Sequence, residues 1–339
     1  MASVREIAQL AGVSVSTVSL VLNDKPGVSD EMRRTVLDAL KQLEAKELNV
    51  PSPGKEARRS SESRLLSIVV LHPPILRSSY VFSEVLQGIQ AAAEIHRVQL
   101  RLIANDEAAS PQHVSQLYFS DPALRPDGVI VFGAKQHEPL IDEARRLEIP
   151  CVVLGRDASK YKVSGVGRDE EHYAYEATRY LLELGHRVIA FAGGQETYDY
   201  VPNRISGYRR ALSQVGIEAQ PSWVQLGSGA YAIQALLKQA SNLTAVLFVN
   251  DSYAAEGLPV LQNAGWRIPN DISVISFDDT NIAHDFVPSL TSVAYRRYEE
   301  GQWAVKLLID QIHFPFIEST HTFFKAQLVI RESCAPPRP

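Results

Sequence analysis

The sequence predicts two unlike parts, a small all-α head and a large α/β core built on two parallel, doubly wound sheets. Three observations carry this. Apolar residues recur at helical spacing through the first 48 positions, a proline-, serine- and charge-rich stretch fills 49–64, and from Leu65 short apolar runs alternate with helical stretches, twice over. With 339 residues the chain can bury two or three sizeable cores, and its 45% hydrophobic and 22% charged content fits a soluble globular protein.

In the head, Val4, Ile7, Ala8 and Ala11 fall at i, i+3, i+4 and i+7, one apolar stripe on a helix that Ser3 can cap. Gly12 interrupts it. Ser14 can cap a second helix in which Val18, Val21 and Leu22 share a side, leaving Val15, Ser16, Ser19 and Leu20 to face outward. Ser29 opens a third helix with Met32, Val36, Leu40 and Leu43 as its buried face, and strong helix formers continue to Leu48, short of Pro51 and Pro53.

A helix, a glycine turn and a short second helix match the helix-turn-helix, which lays its second helix in the major groove of duplex DNA. Val15, Ser16 and Leu20 would then meet base edges, Leu20 offering only apolar contact such as to a thymine methyl. Arg5, Ser14, Thr17 and Ser19 are candidate phosphate anchors, although capping and solvent exposure account for each of them equally well. The head through Arg64 carries ten basic and nine acidic residues, +1 against −6 for the rest of the chain. Phosphate contacts must therefore come from Arg5, Lys25, Arg33 and Arg34 together with helix N-termini, and useful affinity needs two heads acting together.

Strands are predicted at 66–71, 99–104, 128–133, 151–155 and 163–166, with helices at 83–96, 112–119 and 140–147 between them. A second set has strands at 188–192, 223–226, 245–249 and 273–275, separated by helices near 171–184, 204–215, 230–239 and 252–264. Repeated βα alternation implies parallel sheets covered on both faces.

Head and core together resemble the lactose repressor (LacI/GalR) family of bacterial transcription regulators. The resembling head residues are Val4-Arg5-Glu6-Ile7-Ala8, Ala11-Gly12-Val13-Ser14, Ser16-Thr17-Val18-Ser19, Asn23 and Val28-Ser29. Asp127-Gly128-Val129-Ile130, Leu184-Gly185-His186, Arg204 with Gly207-Tyr208, Asn250-Asp251, Ile272-Ser273-Val274, Phe277-Asp278-Asp279 and Pro288 with Leu290-Thr291-Ser292-Val293 extend the match across the core. The resemblance implies a 1–48 DNA-binding domain, a 49–64 hinge and a 65–333 periplasmic-binding-protein-like core. Its N-terminal lobe would span about 65–166 and 294–318, and its C-terminal lobe about 167–293 and 319–333, with crossings near Gly167, Val293 and Ser319. It also implies operator contacts from Asn23 and from a hinge helix that enters the minor groove. Of the hinge pattern only Pro53, Ala57 and Arg58 keep their places; Gly54 replaces an asparagine and Ser60 the wedging leucine. The expectation is a hinge that bends DNA less than its relatives do, or is ordered differently.

Arg204, Asn250 and Asp278 match the family's effector contacts. A guanidinium, an amide and a carboxylate converging at the carboxyl ends of strands can clamp vicinal hydroxyls, so a sugar or sugar derivative fits. Tyr80 and Phe82, placed in the loop after the first strand, could add a stacking face. Where the family has an acid this chain has Gly155; if Arg156 fills that lane, an anionic ligand also fits. Turn-capping by Asp278 and pairing of Arg204 with a nearby acid are the plainer alternatives.

No enzyme, cofactor or metal site is predicted. Asp278-Asp279 beside Asn250-Asp251 do not form a spaced acid pair, His186 reads as a structural cap, and Glu170-Glu171-His172 are consecutive and read as a solvated helix start. Neither a Gly-x-Gly-x-x-Gly nor a P-loop lysine is present. No targeting segment or run of roughly 20 apolar residues is seen, and two cysteines, Cys151 and Cys334, fit a reduced compartment, so the cytoplasm is expected. The segment after Ile330 is short and proline-rich, which favours a homodimer over a coiled-coil tetramer. The reading is an effector-responsive repressor on a near-palindromic operator. The alternative is a soluble sugar sensor or enzyme whose head no longer reads DNA, a reading that Leu20 and the altered hinge keep open.

Overall fold

The computed structural model describes residues 4–22, 28–29, 32–39, 65–72, 80–104, 115–133, 138–156, 158–196, 198–239, 242–316 and 318–338. They fall into two compact units, Met1–Leu65 and Leu66–Pro339.

In the first unit α1 (Val4–Ala11) and α2 (Val15–Leu22) are joined through Gly12, whose φ of +67° lies in the left-handed region where a Cβ would be strained. Val13 N donates to Ala8 O at 3.1 Å, and Ser14 Oγ accepts from Thr17 N at 3.1 Å, capping α2. A third helical segment, α3, covers 32–39, and Ser29 Oγ accepts from Met32 N at 3.3 Å. Ile7, Ala8, Val18, Val21, Val36 and Ala39 make one core. Leu22 and Met32, expected in that core, are instead 41% and 43% exposed. Leu22 ends α2 and Met32 begins the described part of α3, and so small a core does not reach over helix ends. Leu40, Leu43 and the continuation to Leu48 lie outside the described residues.

The second unit opens with β1 (Ser67–His72), α4 (Tyr80–His96), β2 (Gln99–Ala104), β3 (Gly128–Phe132), α5 (Glu138–Arg146), β4 (Cys151–Leu154) and β5 (Ser164–Gly167). It crosses to a second lobe of α6 (Glu170–Glu183), β6 (Ile189–Ala192), α7 (Tyr200–Gln214), β7 (Val224–Gln225), α8 (Gly229–Gln239), β8 (Ala245–Phe248), α9 (Asp251–Asn263), β9 (Ser273–Asp278), α10 (Asn281–Asp285) and β10 (Thr291–Ala294). The chain returns to the first lobe for α11 (Arg297–His313) and β11 (His321–Phe323), and ends in the second with β12 (Gln327–Val329). The sheets run β11-β5-β4-β3-β1-β2 and β12-β10-β9-β8-β6-β7, parallel throughout except β12. The third crossing lies between Phe323 and Gln327 rather than near Ser319, because β11 first pairs with β5.

Each strand feeds two layers because successive side chains point to opposite faces. Ile68 and Val70 pack with Val85, Ile89 and Leu308 of α4 and α11, whereas Val69 and Leu71 pack with Leu140 and Ala144 of α5. In the second lobe Ile189 and Phe191 meet Leu181, Tyr208 and Leu212 of α6 and α7, while Ala190 and Ala192 meet Ile233, Leu236 and Leu258 of α8 and α9. The predicted 112–119 helix corresponds to a π-helical turn at Gln116–Ser120. Tyr80 and Phe82 lie in the first turn of α4, not in a loop. Cys151 and Cys334 are free thiols, and among the described residues no helix is long and apolar enough to cross a membrane.

Candidate functional site

The lobes meet through residues at the carboxyl ends of their strands, where a parallel α/β sheet offers its binding crevice. Arg204, in the second turn of α7, lies at the centre. Its side chain is 3% exposed. Nε donates to Glu170 Oε2 at 2.8 Å, Nη2 to the Tyr295 hydroxyl at 3.0 Å and Nη1 to Val249 O, and the guanidinium lies 4.2 Å from the Phe277 ring centroid. Tyr295 in turn donates to Glu170 Oε2 at 2.8 Å, its hydroxyl held protonated because burial pushes it well above the usual tyrosine range. Glu170, expected at a solvated helix start, is buried and anchors this network. The correction has a simple cause: α6 begins at the first crossing, so its first turn packs against α7 and the second crossing instead of solvent.

Asp278 ends β9 and is reached from two helices, α7 and α11. Its Oδ1 lies 3.0 Å from Arg297 Nη2 and 4.0 Å from Arg204 Nη2, and its carbonyl accepts from Arg297 Nη1 at 2.6 Å. Asp278 and Asp279 have φ of +100° and +49°, strained values for residues with a Cβ. A buried network holds that turn. Asp251 Oδ2 accepts from Thr280 N at 2.7 Å and Thr280 Oγ1 at 2.9 Å, Oδ1 accepts from Ser276 and from Ser292 at 3.0 Å, and Ser292 Oγ accepts from Asp279 N at 3.1 Å. Burial, with the Asp278 charge adding to it, raises the Asp251 carboxyl to about 6 against the hydrogen bonds that stabilise its ionised form.

Asn250 ends the preceding turn, where its Oδ1 accepts from Tyr253 N at 3.1 Å and caps α9. That hydrogen bond occupies one face of the amide oxygen and gives Asn250 a structural task. In the first lobe Phe82 is buried with its ring 4.5 Å from His72 and 5.9 Å from Phe132, forming an apolar wall. The backbone of Tyr80 belongs to α4. Arg156 donates to Asp199 and to the Tyr161 hydroxyl, and to Gly133 O at 3.3 Å. Arg297 donates to Glu84 Oε2 at 3.2 Å, and its buried Nε has no hydrogen-bond partner among the described residues. Arg168 binds Glu300 through two parallel bonds of 2.7 and 2.6 Å. His186 is enclosed by Thr244, Ser273 and Ala335 O at 2.9–3.0 Å, in a structural setting away from these residues.

On the head, Ser14, Val15, Ser16 and Ser19 are exposed, Thr17 and Leu20 half-buried, and Arg33 half-buried on α3. Ser14 Oγ is within 2.7 Å of Ser16 Oγ and 2.8 Å of Thr17 Oγ1, so its hydroxyl caps and braces the start of α2. Leu20, expected to face outward, is partly covered. The backbone of Arg5 belongs to α1; Asn23, Pro53, Ala57 and Arg58 lie outside the described residues.

A helix-turn-helix unit followed by two lobes with a polar crevice defines a ligand-responsive DNA-binding regulator rather than an enzyme. Residues 3–44 match the bacterial regulatory protein lacI family, and residues 178–334 a periplasmic binding protein-like domain. The HTH-type transcriptional repressor CytR of Escherichia coli strain K12 is 30% identical over 98% of this chain and 96% of its own length. The ribose operon repressor of Haemophilus influenzae is 28% identical over 98% of both chains. A solved structure of the transcriptional regulator CelR in complex with cellobiose superposes with a TM-score of 0.72 at 28% identity, covering 98% of this chain and 100% of that one. The chain belongs to the LacI family of bacterial transcription regulators, and it is a ligand-responsive DNA-binding repressor.

Proposed function

We propose that the repressor binds a neutral, sugar-like effector between its lobes and a near-palindromic operator as a homodimer in the cytoplasm. The observation that carries the ligand class is the balance of charge around Arg204. Among the described residues Arg156, Lys160, Arg168, Arg204 and Arg297 face the carboxylates Asp199, Glu300, Glu170, Asp278 and Glu84, with Arg156 and Lys160 sharing Asp199 and Arg297 meeting both Asp278 and Glu84. Donors and acceptors therefore alternate around the crevice without net positive charge. Such an array suits vicinal hydroxyls, which donate and accept at once, better than an anion. Arg156, on which an anionic ligand would depend, is already paired with Asp199. Phe82 beside His72 and Phe132 supplies an apolar wall for a ring face, and the buried Nε of Arg297 supplies a further donor. The cellobiose bound to CelR and the name of the ribose operon repressor point to the same class of ligand.

On the DNA side, the exposed Val15, Ser16 and Ser19 with part of Leu20 form the reading face of α2, flanked by Arg5, Ser14, Thr17 and Arg33 toward phosphates. Asn23, Pro53, Ala57 and Arg58 extend that contact surface in this reading. Gel-shift of the purified dimer on fragments of its own promoter region, with and without cellobiose and ribose, tests both halves. Retarded DNA whose affinity changes at least fivefold with a sugar is expected. Absence of retardation at low salt would remove the operator reading, and indifference to a wider panel of neutral sugars would remove the effector reading.

A further inference from the structure

Arg156 follows β4 in the first lobe, and Asp199 precedes α7 in the second. Neither belongs to a segment that crosses between lobes, yet Arg156 Nη2 donates to Asp199 Oδ2, and Lys160 Nζ lies 3.5 Å from the same oxygen. Arg156 is braced from its own lobe by the Tyr161 hydroxyl and Gly133 O, and its guanidinium lies 5.2 Å from the Tyr161 ring centroid. Its side chain is 9% exposed, and that of Asp199 28%.

Besides the contacts of Asp199 with Arg156 and Lys160, the ion pairs that couple the lobes among the described residues are Arg168–Glu300 and Arg297–Asp278, and both sit at crossings. Arg168 stands directly after the first, while Arg297 and Glu300 stand directly after the second. Residues at a pivot stay near one another as the lobes turn about it. The Arg156 backbone packs beside Gly167 at the first crossing, but its guanidinium reaches out to Asp199, 43 residues on at the start of α7, so the pair joins two segments that do not cross and separation of the lobes would pull it apart.

We propose that Arg156 and Asp199 form a cross-cleft latch that favours the closed arrangement of the lobes. Asp199 lies five positions before Arg204 on the same helical segment, so the latch also fixes the start of the helix that presents Arg204 to the crevice. Asp199 is thus a positioning residue, acting through α7 without touching the ligand. The effect on the effector rests on the reading of the crevice as the effector site: a molecule that prefers closed lobes binds more tightly when the latch is intact.

The test is hydrogen exchange on the full-length protein, reading the amides of 198–204 in wild type, Arg156→Gln, Asp199→Asn and the double variant. Each single variant is expected to speed exchange there about fivefold, as for coupling between directly contacting residues, with the double variant no faster than either. The Arg156 variant is the discriminating one. A purely local role for Asp199 at the start of α7 would leave 198–204 unmoved when a residue of the other lobe is changed. Unchanged exchange in Arg156→Gln, or effects that add in the double variant, would overturn the latch. Calorimetry with cellobiose and ribose then reads the coupling: several-fold weaker binding to both single variants supports it, and equal binding to wild type and variants refutes it. If neither sugar binds wild type, the effector reading loses support while hydrogen exchange alone decides the latch.

Discussion

The first sheet runs β2-β1-β3-β4-β5-β11 and the second β7-β6-β8-β9-β10-β12, so every strand of one lobe has a counterpart in the other. Their helix pairs correspond too. A Cβ on Gly301 would come within 2.3 Å of Val85 O between α11 and α4, and one on Gly207 within 2.0 Å of Glu171 O between α7 and α6. At the crevice the likeness ends. The second lobe presents Arg204, Glu170, Asp278 and the network behind Asp251; the first presents the His72, Phe82 and Phe132 rings with the cations Arg156, Lys160 and Arg297. One topology therefore supplies two complementary surfaces, a polar grip and an apolar wall. The frame is set by strand order, and the chemistry by which residue ends each strand.

The sharpest way to break this comparison is to remove a cation from each side. Arg204→Ala leaves the buried Glu170 with the Tyr295 hydroxyl and, at 4.0 Å, Arg168, but without its closest cation, and a cost of about 3 kcal/mol is expected, together with loss of any sugar response. Arg156→Ala should cost no more than about 1 kcal/mol, since Asp199 keeps access to water and to Lys160. Denaturant unfolding of both variants decides it. Equal losses would mean that polar organisation is shared between the lobes. A smaller effect sharpens the common frame: Gly207→Ala and Gly301→Ala should each cost roughly 2–3 kcal/mol, because a methyl group must force two helix backbones apart. If only one of them destabilises, the helix pairs are not equivalent.

The frame was legible because parallel strands are buried on both faces and write unbroken apolar runs such as Ile68-Val69-Val70-Leu71 and Ala245-Val246-Leu247-Phe248. β11 and β12 were not, being three residues each among polar neighbours. The start of α7 was hidden by Pro202, which reads as a breaker although the first turn tolerates proline. Arg204 and Asp278 could be named through the family resemblance. Their partners could not: Glu170 is 34 residues from Arg204 and 125 from Tyr295, and only the crossings bring them together. One usable signal was present, the charged residues Arg168, one position after β5, and Arg297 and Glu300, in the first turn of the helix that follows β10, at the points where the chain changes lobes.

The smallest effect at neutral pH concerns the support beneath Asp278. Asp251 titrates near 6 in the folded protein against 3.8 for the free side chain, so the native state holds its proton more tightly. The contribution of this group to stability is therefore greatest below pH 4 and declines as pH rises through 6, opposite in sign to an ion-paired carboxylate. Asp251→Asn removes that titration. Its carbonyl can still accept from Thr280 N, and the Ser276 and Ser292 hydroxyls can rotate to accept from the new amide, so a change within about 1 kcal/mol is expected at pH 7. Between pH 7 and pH 4.5 the difference should shift in favour of wild type by about 2 kcal/mol. Denaturant unfolding of the two proteins at both pH values measures it. A pH-independent difference would show that the Asp278 turn is held without an ionisable group beneath it, and the second lobe would then differ from the first only in the residues that line the crevice itself.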